Sequence, residues 1–249
     1  MVNDNDTVTK KSSTENDSLL GLLEGFQESL IRRFSKPDKG VEPVVFEFTE
    51  DKALLHQYHL LREDIFWSNA THLEEKNSDE IYDKISEVLV ARRGRQVIGA
   101  CRLTFREGDE KFLLPMETET FQIRDALPEL PLDKERHAVI SKFAILEEHR
   151  AYDILYGLCK ILFDRVIATD TYYVFARAET YALGRNWRLI ANSFGAKHTQ
   201  ICNDVDVPEN PNVPGVKRYL TYSDLSDLCQ HTHPRVPIPR KRELSLIED

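Results

Sequence analysis

One run of the chain, residues 86–150, carries strand and helix signals in an order that constrains the fold more than any other feature. The stretches Ser86–Arg92 and Gln96–Phe105 flank Gly94, and together they predict an antiparallel hairpin. The apolar run His137–Leu146 predicts a third strand, which leads directly into an amphipathic helix. The start of such a helix exposes unpaired backbone N–H groups, which suit a phosphate.

Further strands and helices surround this run and predict an α/β (α+β) domain over residues 44–225. Gly195 follows the last predicted helix as a C-cap residue. The remaining elements are a strand at Val44–Phe48, helices at Asp51–Phe66 and from Arg150 to about Val166, a strand at Tyr172–Arg177, a helix at Leu183–Ser193 and an edge strand within Val216–Leu220.

The two ends of the chain have a different composition from the domain. Residues 1–16 are rich in polar side chains and predict a disordered tail, and residues 226–249 predict a second tail. Residues 17–36 place leucine and phenylalanine at helical spacing and predict an amphipathic helix. Packing on the domain surface is the first interpretation of this helix, and contact with a membrane surface or a lid over an acyl chain stay open.

Composition excludes several classes of function. The net charge of −9 argues against sequence-independent nucleic-acid binding, which needs a large positive face. The four cysteines form no C-x-x-C pair, and no apolar run approaches the ~20 residues that span a bilayer. We therefore expect a soluble, cytoplasmic protein. Metal-type side chains do occur, but their spacing fits no standard zinc pattern, so no metal is predicted; they are Cys229, His231 and His233, and His198 with Cys202.

Five short motifs lie along the domain in a fixed order. They are Arg62 with Phe66, Glu80-Ile81-Tyr82-Asp83, Gly99-Ala100-Cys101-Arg102-Leu103, Val139-Ile140-Ser141-Lys142-Phe143, and Arg150. In order and spacing this set resembles the GNAT superfamily of N-acyltransferases, and within it the acyl-homoserine-lactone synthases, the N-acyl amino acid synthases and the exosortase-associated acyltransferases. The resemblance implies a GNAT-like central sheet that is mixed but mostly antiparallel, flanked by helices.

The chain departs from these families at several motif positions. Val139 stands where the families carry a strand glutamate that is proposed as a base, and valine cannot accept a proton. Lys142 replaces an arginine, so the charge stays but the planar fork that grips a carboxylate is lost. Glu80 replaces the first aspartate of the acidic motif.

The resemblance implies transfer of a fatty acyl group from an acyl carrier protein or acyl-CoA thioester to the amine of an amino acid or related small molecule. As catalytic residues it implies Glu80 or Asp83 as acceptor of the amine proton through water, and Ser141 as a hydroxyl contact. Arg102 either pairs with one of these acids or grips a substrate carboxylate. Backbone N–H groups near Phe143 and Ala144, in a strand opened by a bulge, would bind the thioester carbonyl. Arg150 would bind the phosphate of the phosphopantetheine arm. Substrate contacts are expected from Arg62, Phe66, Met116 and Lys142, with an ion pair between Arg62 and the acidic segment as the alternative for Arg62.

Other interpretations of the same residues stay open. Val139 favours a non-catalytic GNAT-like module that binds an acyl thioester or a protein partner. An acetyl-CoA-dependent acetyltransferase is a further alternative, disfavoured because no glycine loop follows Arg150. The arginines at 177, 185 and 188 indicate either a solvated face or a docking surface for an acidic carrier protein. An acyl tunnel would be lined by Leu113, Met116, Phe121, Phe143 and Leu158.

Overall fold

The computed structural model describes residues 42–67, 81–108, 110–150, 152–178, 181–196, 198–202, 207 and 217–229. The predicted tail and helix at 1–16 and 17–36, and the histidines at 231 and 233, lie outside the described residues. The strands and helices named below all belong to Val44–Asp249, one of the two units into which the chain divides. None of the described helices has both the length and the apolar character needed to cross a membrane.

In the described part of the chain, seven strands form one sheet in the spatial order β1-β2-β3-β4-β5-β7-β6. β4 and β5 run parallel, whereas every other neighbouring pair is antiparallel. The predicted mixed and mostly antiparallel sheet is thus confirmed. The strands are β1 Val44–Thr49, β2 Glu87–Arg93, β3 Gln96–Arg106, β4 His137–Ile145, β5 Tyr173–Ala178, β6 His198–Cys202 and β7 Tyr219–Asp224.

The predicted hairpin is formed by β2 and β3. Arg93 pairs with Gln96, so Gly94 and Arg95 make a two-residue turn. Gly94 has a φ of 57°, in the left-handed region where glycine carries no Cβ penalty. The glycine therefore explains why the chain reverses at this position.

The described helices begin and end where local chemistry favours it. The Asp51 carboxylate accepts hydrogen bonds from the N–H groups of Ala53 and Leu54 at 2.8 and 3.0 Å, and so caps the first helix. Gly195, with a φ of 90°, follows the predicted late helix and confirms the C-cap. The helices are α1 Lys52–Arg62, α2 Ile123–Ala126, α3 Tyr152–Ala168, α4 Tyr181–Ser193 and α5 Ser226–Cys229, with a π-helical turn at Glu63–Trp67 and a 3-10 turn at Glu147–His149.

The sheet buries a different set of side chains on each face. On one face, α3 and α4 cover an apolar cluster that includes Leu103, Phe105 and Leu158. On the other face, α1 covers Val88 and Val90, while the segment 107–136 covers β4, β5 and β7. This second face also holds the buried polar groups described below.

The C-terminal part of the sheet differs from its prediction. The edge strand predicted within Val216–Leu220 is instead β7, which lies inside the sheet between β5 and β6. The described edge is β6, which had no sequence signal because His198-Thr199-Gln200-Ile201-Cys202 carries little apolar character. Ser226–Cys229, predicted as the start of a tail, forms a helical turn whose Cys229 is buried against the core.

Candidate functional site

A row of polar side chains lies buried along one face of β3. Side chains alternate between the two faces of a strand, so Cys101, Leu103 and Phe105 join the apolar cluster under α3. Arg102 and Arg106 point to the opposite face, with Thr104 between them, and each is at most 1% exposed. Buried guanidinium groups need acceptors, and each of these two arginines has a carboxylate partner.

Asp83 binds two arginines at once. Nη1 of Arg62, on α1, donates to both carboxylate oxygens at 2.8 and 2.7 Å, and Nη1 of Arg102 donates to Oδ1 at 2.9 Å. The aspartate side chain is 11% exposed, and those of the arginines are 2% and 0% exposed. The helical segment 81–85, α1 and β3 are therefore joined at one carboxylate.

Arg102 extends this cluster to β4. Its Nε donates to Oγ of Ser141 at 3.0 Å, and its guanidinium lies 5.3 Å from the centre of the Tyr82 ring. Three of the four predicted catalytic residues, Asp83, Arg102 and Ser141, are thus brought together. The fourth, Glu80, lies outside the described residues, as does the side chain of Phe66.

Two members of the cluster were missed by the sequence interpretation. The Tyr58 hydroxyl accepts from Arg62 Nη1 at 3.0 Å and lies 3.4 Å from Asp83 Oδ1. Burial and the Asp83 carboxylate raise the pKa of Tyr58 to about 12. Nδ1 of His59 lies 3.5 Å from Asp83 Oδ2. Residues four apart share one face of a helix, so the position of Tyr58 relative to Arg62 was a usable signal.

A β-bulge interrupts β4 beside Ser141. Ala100 pairs with Ala144 and Arg102 pairs with Ser141, so the single residue Cys101 faces two residues of β4, Lys142 and Phe143. Lys142 has a φ of 52°, which lysine rarely adopts. The bulge that the resemblance implied is present at the expected residues.

The pairing between β4 and β5 ends after Ile140. Their parallel register runs from His137 with Tyr173 to Ile140 with Ala176, and it stops there although β4 continues to Ile145. We call this opening, bounded by residues 141–145 of β4 and residues 177–178 of β5, the seam. Backbone groups of β4 that face the seam have no register partner on β5. An extended ligand that lies in the seam would run alongside the backbone of β4.

The predicted donor-binding residues lie around the seam at different depths. Phe143 is half-buried, Ala144 is 2% exposed and packs under α1, and Arg150 is exposed before α3. The 3-10 turn between β4 and α3 also carries the exposed acids Glu147 and Glu148. Because these acids oppose a phosphate, Arg150 is the cation on which anion binding there would depend.

The surroundings of Val139, which stands where the resembled families carry a strand glutamate, are apolar. Val139 is fully buried in a cluster with Met116, Phe121 and Phe175. Met116 and Phe121 therefore lie on the second face of the sheet, whereas Phe143 and Leu158 contact the cluster under α3 on the first face. The structure does not bring the five residues predicted for an acyl tunnel to one side of the sheet.

A second buried polar network holds the segment 107–136 against β3. The Glu117 carboxylate accepts from Nη1 and Nη2 of Arg106 at 2.6 and 3.1 Å, and from the N–H groups of Leu114 and Ile123 at 2.8 and 2.9 Å. Nε of Arg106 donates to Nε2 of His137 at 2.9 Å. Burial lowers the pKa of His137 to about 4, so the ring is neutral and its Nδ1 donates to the Glu135 carbonyl.

The cysteine nearest the cluster is not a nucleophile. Cys101 is fully buried, and burial, with Cys159 as a second cause, raises the pKa of its thiol well above the usual value. Among the described residues, no group of three or more His, Cys, Asp or Glu side chains is arranged to hold a metal ion.

Comparison with known proteins shows similarity in fold. No family model and no curated protein matches the sequence. Among solved structures, the chain is similar to FeeM, an N-acyl amino acid synthase from uncultured soil microbes, at a TM-score of 0.54 and 10% identity over 76% of this chain and 98% of that one. It is also similar to the AHL synthase LasI, at a TM-score of 0.51 and 14% identity over 74% of this chain and 91% of that one. The described domain thus has the GNAT fold.

Proposed function

We propose that this chain, which has the fold of GNAT N-acyltransferases, moves a fatty acyl group from a thioester donor to the amine of an amino acid or related small molecule. The donor is an acyl carrier protein or acyl-CoA, acting in the cytoplasm. The observation that carries this proposal is the seam, which opens beside the cluster of Asp83, Arg102 and Ser141. A bound acyl-phosphopantetheine is a cosubstrate, and no permanent cofactor is invoked.

The donor arm fits the seam by its chemistry. Phosphopantetheine is an extended chain with two amide groups, and such a chain can pair with an open strand as a peptide does in β-augmentation. N–H groups near Phe143 and Ala144 would then lie close to the thioester carbonyl and stabilise the developing oxyanion. Arg150 and the N–H groups at the start of α3 would bind the phosphate.

The acceptor amine would approach from the face that carries Asp83. Arg102 is fully buried and donates to both Asp83 and Ser141, which favours an ion pair with Asp83 over a grip on a substrate carboxylate. We therefore assign Arg102 as a residue that positions the Ser141 hydroxyl. Arg62 acts on Asp83 in the same way. Lys142, half-buried at the bulge, is the cation that we assign to a substrate carboxylate. Phe66 and Met116 keep their predicted roles as substrate contacts, and Glu80 keeps its predicted role as an acceptor of the amine proton through water.

The reaction needs a neutral amine. The ammonium group first loses one proton, and its nitrogen then attacks the thioester carbonyl carbon. The C–N bond forms, the C–S bond breaks, and the departing thiolate takes the second proton of the nitrogen. The amide and a free phosphopantetheine thiol are the products.

The test is a turnover assay with purified protein. Palmitoyl-acyl carrier protein, palmitoyl-CoA and acetyl-CoA are each incubated with a panel of amino acids, and mass spectrometry measures N-acyl products while thiol release gives the rate. We expect long-chain amides with at least one amino acid. Ser141→Ala removes the acceptor of one hydrogen bond from Arg102, worth about 1 kcal/mol, and we expect a loss of roughly 5- to 10-fold in kcat/KM. No thioester consumption across the panel would refute the proposal.

The buried Val139 supports a second candidate function. A non-catalytic module that binds an acyl thioester fits a site that lacks the strand acid. Such a module would bind palmitoyl-acyl carrier protein by calorimetry but release no thiol. Robust turnover would exclude it.

A carrier protein is the partner that we propose for the exposed face of α4. Arg185 and Arg188 are exposed on this helix, and carrier proteins are acidic. Charge reversal of both arginines should raise KM for the acyl carrier protein donor while leaving KM for palmitoyl-CoA unchanged. Equal effects on both donors would contradict carrier docking.

A further inference from the structure

Arg93, at the end of β2 in the hairpin, is a cation to which the proposed function gives no role. Its neighbour Arg92 pairs with Glu47. At the other end of β2, Arg165 pairs with Glu87. Arg93 pairs with no carboxylate among the described residues, although its side chain is half-buried and its Nε is buried without a hydrogen-bond partner. A half-buried guanidinium that no acid neutralises needs an explanation.

The side chain of Arg93 lies on the face of the sheet that α3 covers. Arg93 pairs with Val44 of β1, in a register that has no shift, and Val44 packs against the apolar cluster under α3. Ala91, two residues before Arg93, belongs to the same cluster. Paired residues share a face, and so do residues two apart on a strand. Arg92 therefore lies on the opposite face.

The start of α3 lies at the same end of β2 as Arg93. An added Cβ at Gly99 would lie 3.3 Å from Cγ2 of Ile154, in the first turn of α3, and Gly99 pairs with β2 two residues before Arg93. Arg165, near the end of α3, reaches Glu87 at the first residue of β2. The helix therefore runs from the hairpin end of β2 towards its start. The residues that precede Ile154 lie on the side of Arg93.

The proposed function places the donor phosphate at this start of α3, beside Arg150. From the position of Arg93 we infer that it is a second cation for the phosphate of the phosphopantetheine arm. This inference rests on the proposed function, which puts the thioester donor in the seam. Of the guanidinium nitrogens of Arg93, only Nε is buried without a partner, so the edge formed by Nη1 and Nη2 is the one open to a ligand.

The chemistry of this open edge suits a phosphate. Two N–H groups of one guanidinium can donate to two oxygens of the same phosphate. The buried Nε of Arg93 shows that the inner part of the side chain is already held in place. Less rotational freedom is therefore lost on binding than for a fully exposed arginine.

Acids also lie near this position, and a second cation offsets them. Glu147 and Glu148 are exposed in the 3-10 turn, and Asp153 lies in the first turn of α3. With Arg150 alone, these carboxylates outnumber the cations at the proposed phosphate position. Arg93 supplies the second positive charge on an element other than the one that carries the acids.

The experiment compares Arg93→Gln with Arg92→Gln. Arg92 is the adjacent residue on the opposite face, so its replacement removes the same charge from the same strand. Each variant is assayed with the best amino-acid acceptor and three thioesters of one acyl group: acyl-acyl carrier protein, acyl-CoA and acyl-pantetheine, which has no phosphate. We expect Arg93→Gln to raise KM for the two phosphate-bearing donors by roughly 10- to 100-fold and KM for acyl-pantetheine by less than about 2-fold. Arg92→Gln should match the wild type with all three.

A binding measurement gives a readout that does not depend on turnover. Calorimetry follows the binding of CoA and of pantetheine to the wild type, to both glutamine variants and to Arg93→Lys. We expect Arg93→Gln to bind CoA more weakly and pantetheine as the wild type does. Arg93→Lys keeps the charge but loses the fork, so it should recover part of the affinity for CoA.

The outcomes separate this inference from the proposed function. If Arg93→Gln binds CoA and uses every donor as the wild type does, the inference is wrong and the proposed function stands. An equal loss with pantetheine also overturns the inference, because that ligand has no phosphate. An effect confined to acyl-CoA would assign Arg93 to the nucleotide phosphates and overturn it too. Absence of amide from the wild type refutes the proposed function, whereas weaker binding of CoA alone by Arg93→Gln would still support the phosphate contact.

Discussion

Replacing Glu117 by glutamine should destabilise the fold strongly although the two side chains have nearly the same shape. Each carboxylate oxygen accepts two hydrogen bonds: Oε1 from Arg106 Nη2 and the Ile123 N–H, and Oε2 from Arg106 Nη1 and the Leu114 N–H. Whichever way the amide of glutamine turns, its NH2 group faces two donors. The variant therefore loses the charge opposite Arg106 and also loses two acceptor positions.

The expected magnitude follows from burial. The side chains of Arg106 and Glu117 are 1% and 0% exposed, and breaking a buried ion pair from one side costs about 3–5 kcal/mol. For a domain of this size, 1 kcal/mol lowers Tm by about 2–4 °C. Glu117→Gln should therefore melt roughly 6–20 °C below the wild type.

The assay is thermal unfolding followed by circular dichroism, with Asp164→Asn as the matched carboxylate-to-amide control. Asp164 pairs with Lys160 one turn away on α3, but the two side chains are 54% and 52% exposed. Such a pair is worth about 0.3–0.5 kcal/mol, so the control should melt within about 2 °C of the wild type. Indistinguishable melting of the two variants would refute the argument from burial.

Three further predictions concern other parts of the domain. Arg150→Ala should raise KM for the thioester several-fold in steady-state kinetics and leave Tm unchanged, because the side chain is exposed; an unchanged KM would contradict phosphate binding there. Because the pKa of His137 is about 4 in the fold and about 6.5 when unfolded, the unfolded chain binds a proton first, and stability should fall by about 2 kcal/mol from pH 7 to pH 5 in urea titrations. A His137→Asn variant with the same pH dependence would count against this cause. Val139→Glu should cost several kcal/mol and not restore a catalytic acid, since it places a carboxylate among apolar side chains; wild-type stability would disprove this.

The central strands and helices could be predicted because their signals are local. The alternation in β2 and β3, the glycine at 94 and the C-cap glycine at 195 each act within a few residues, and each feature is present in the fold. β6 and β7 could not be predicted in the same way. Their backbones are ordered by pairing with β5 and with each other, and polar residues such as Thr221 and Ser223 are buried there by that pairing.

The site was predictable where the ordered motifs supplied both its residues and their order along the chain. Asp83, Arg102 and Ser141 were expected near one another, and they form one hydrogen-bonded cluster. The network of Glu117 with Arg106 was not foreseen, because the predicted strand ended at Phe105. One further step of the same alternation would have put Arg106 beside Arg102 on the polar face and indicated the need for a second buried acid.

The short register between β4 and β5 has a consequence for how the molecule opens. Four parallel residue pairs, from His137 with Tyr173 to Ile140 with Ala176, join a four-stranded part of the sheet to a three-stranded part. A ligand that lies in the seam and pairs with both strands would lengthen this junction, as an added strand would. We therefore expect hydrogen exchange of β5 and β7 amides to slow when thioester binds, even at residues that the ligand does not touch.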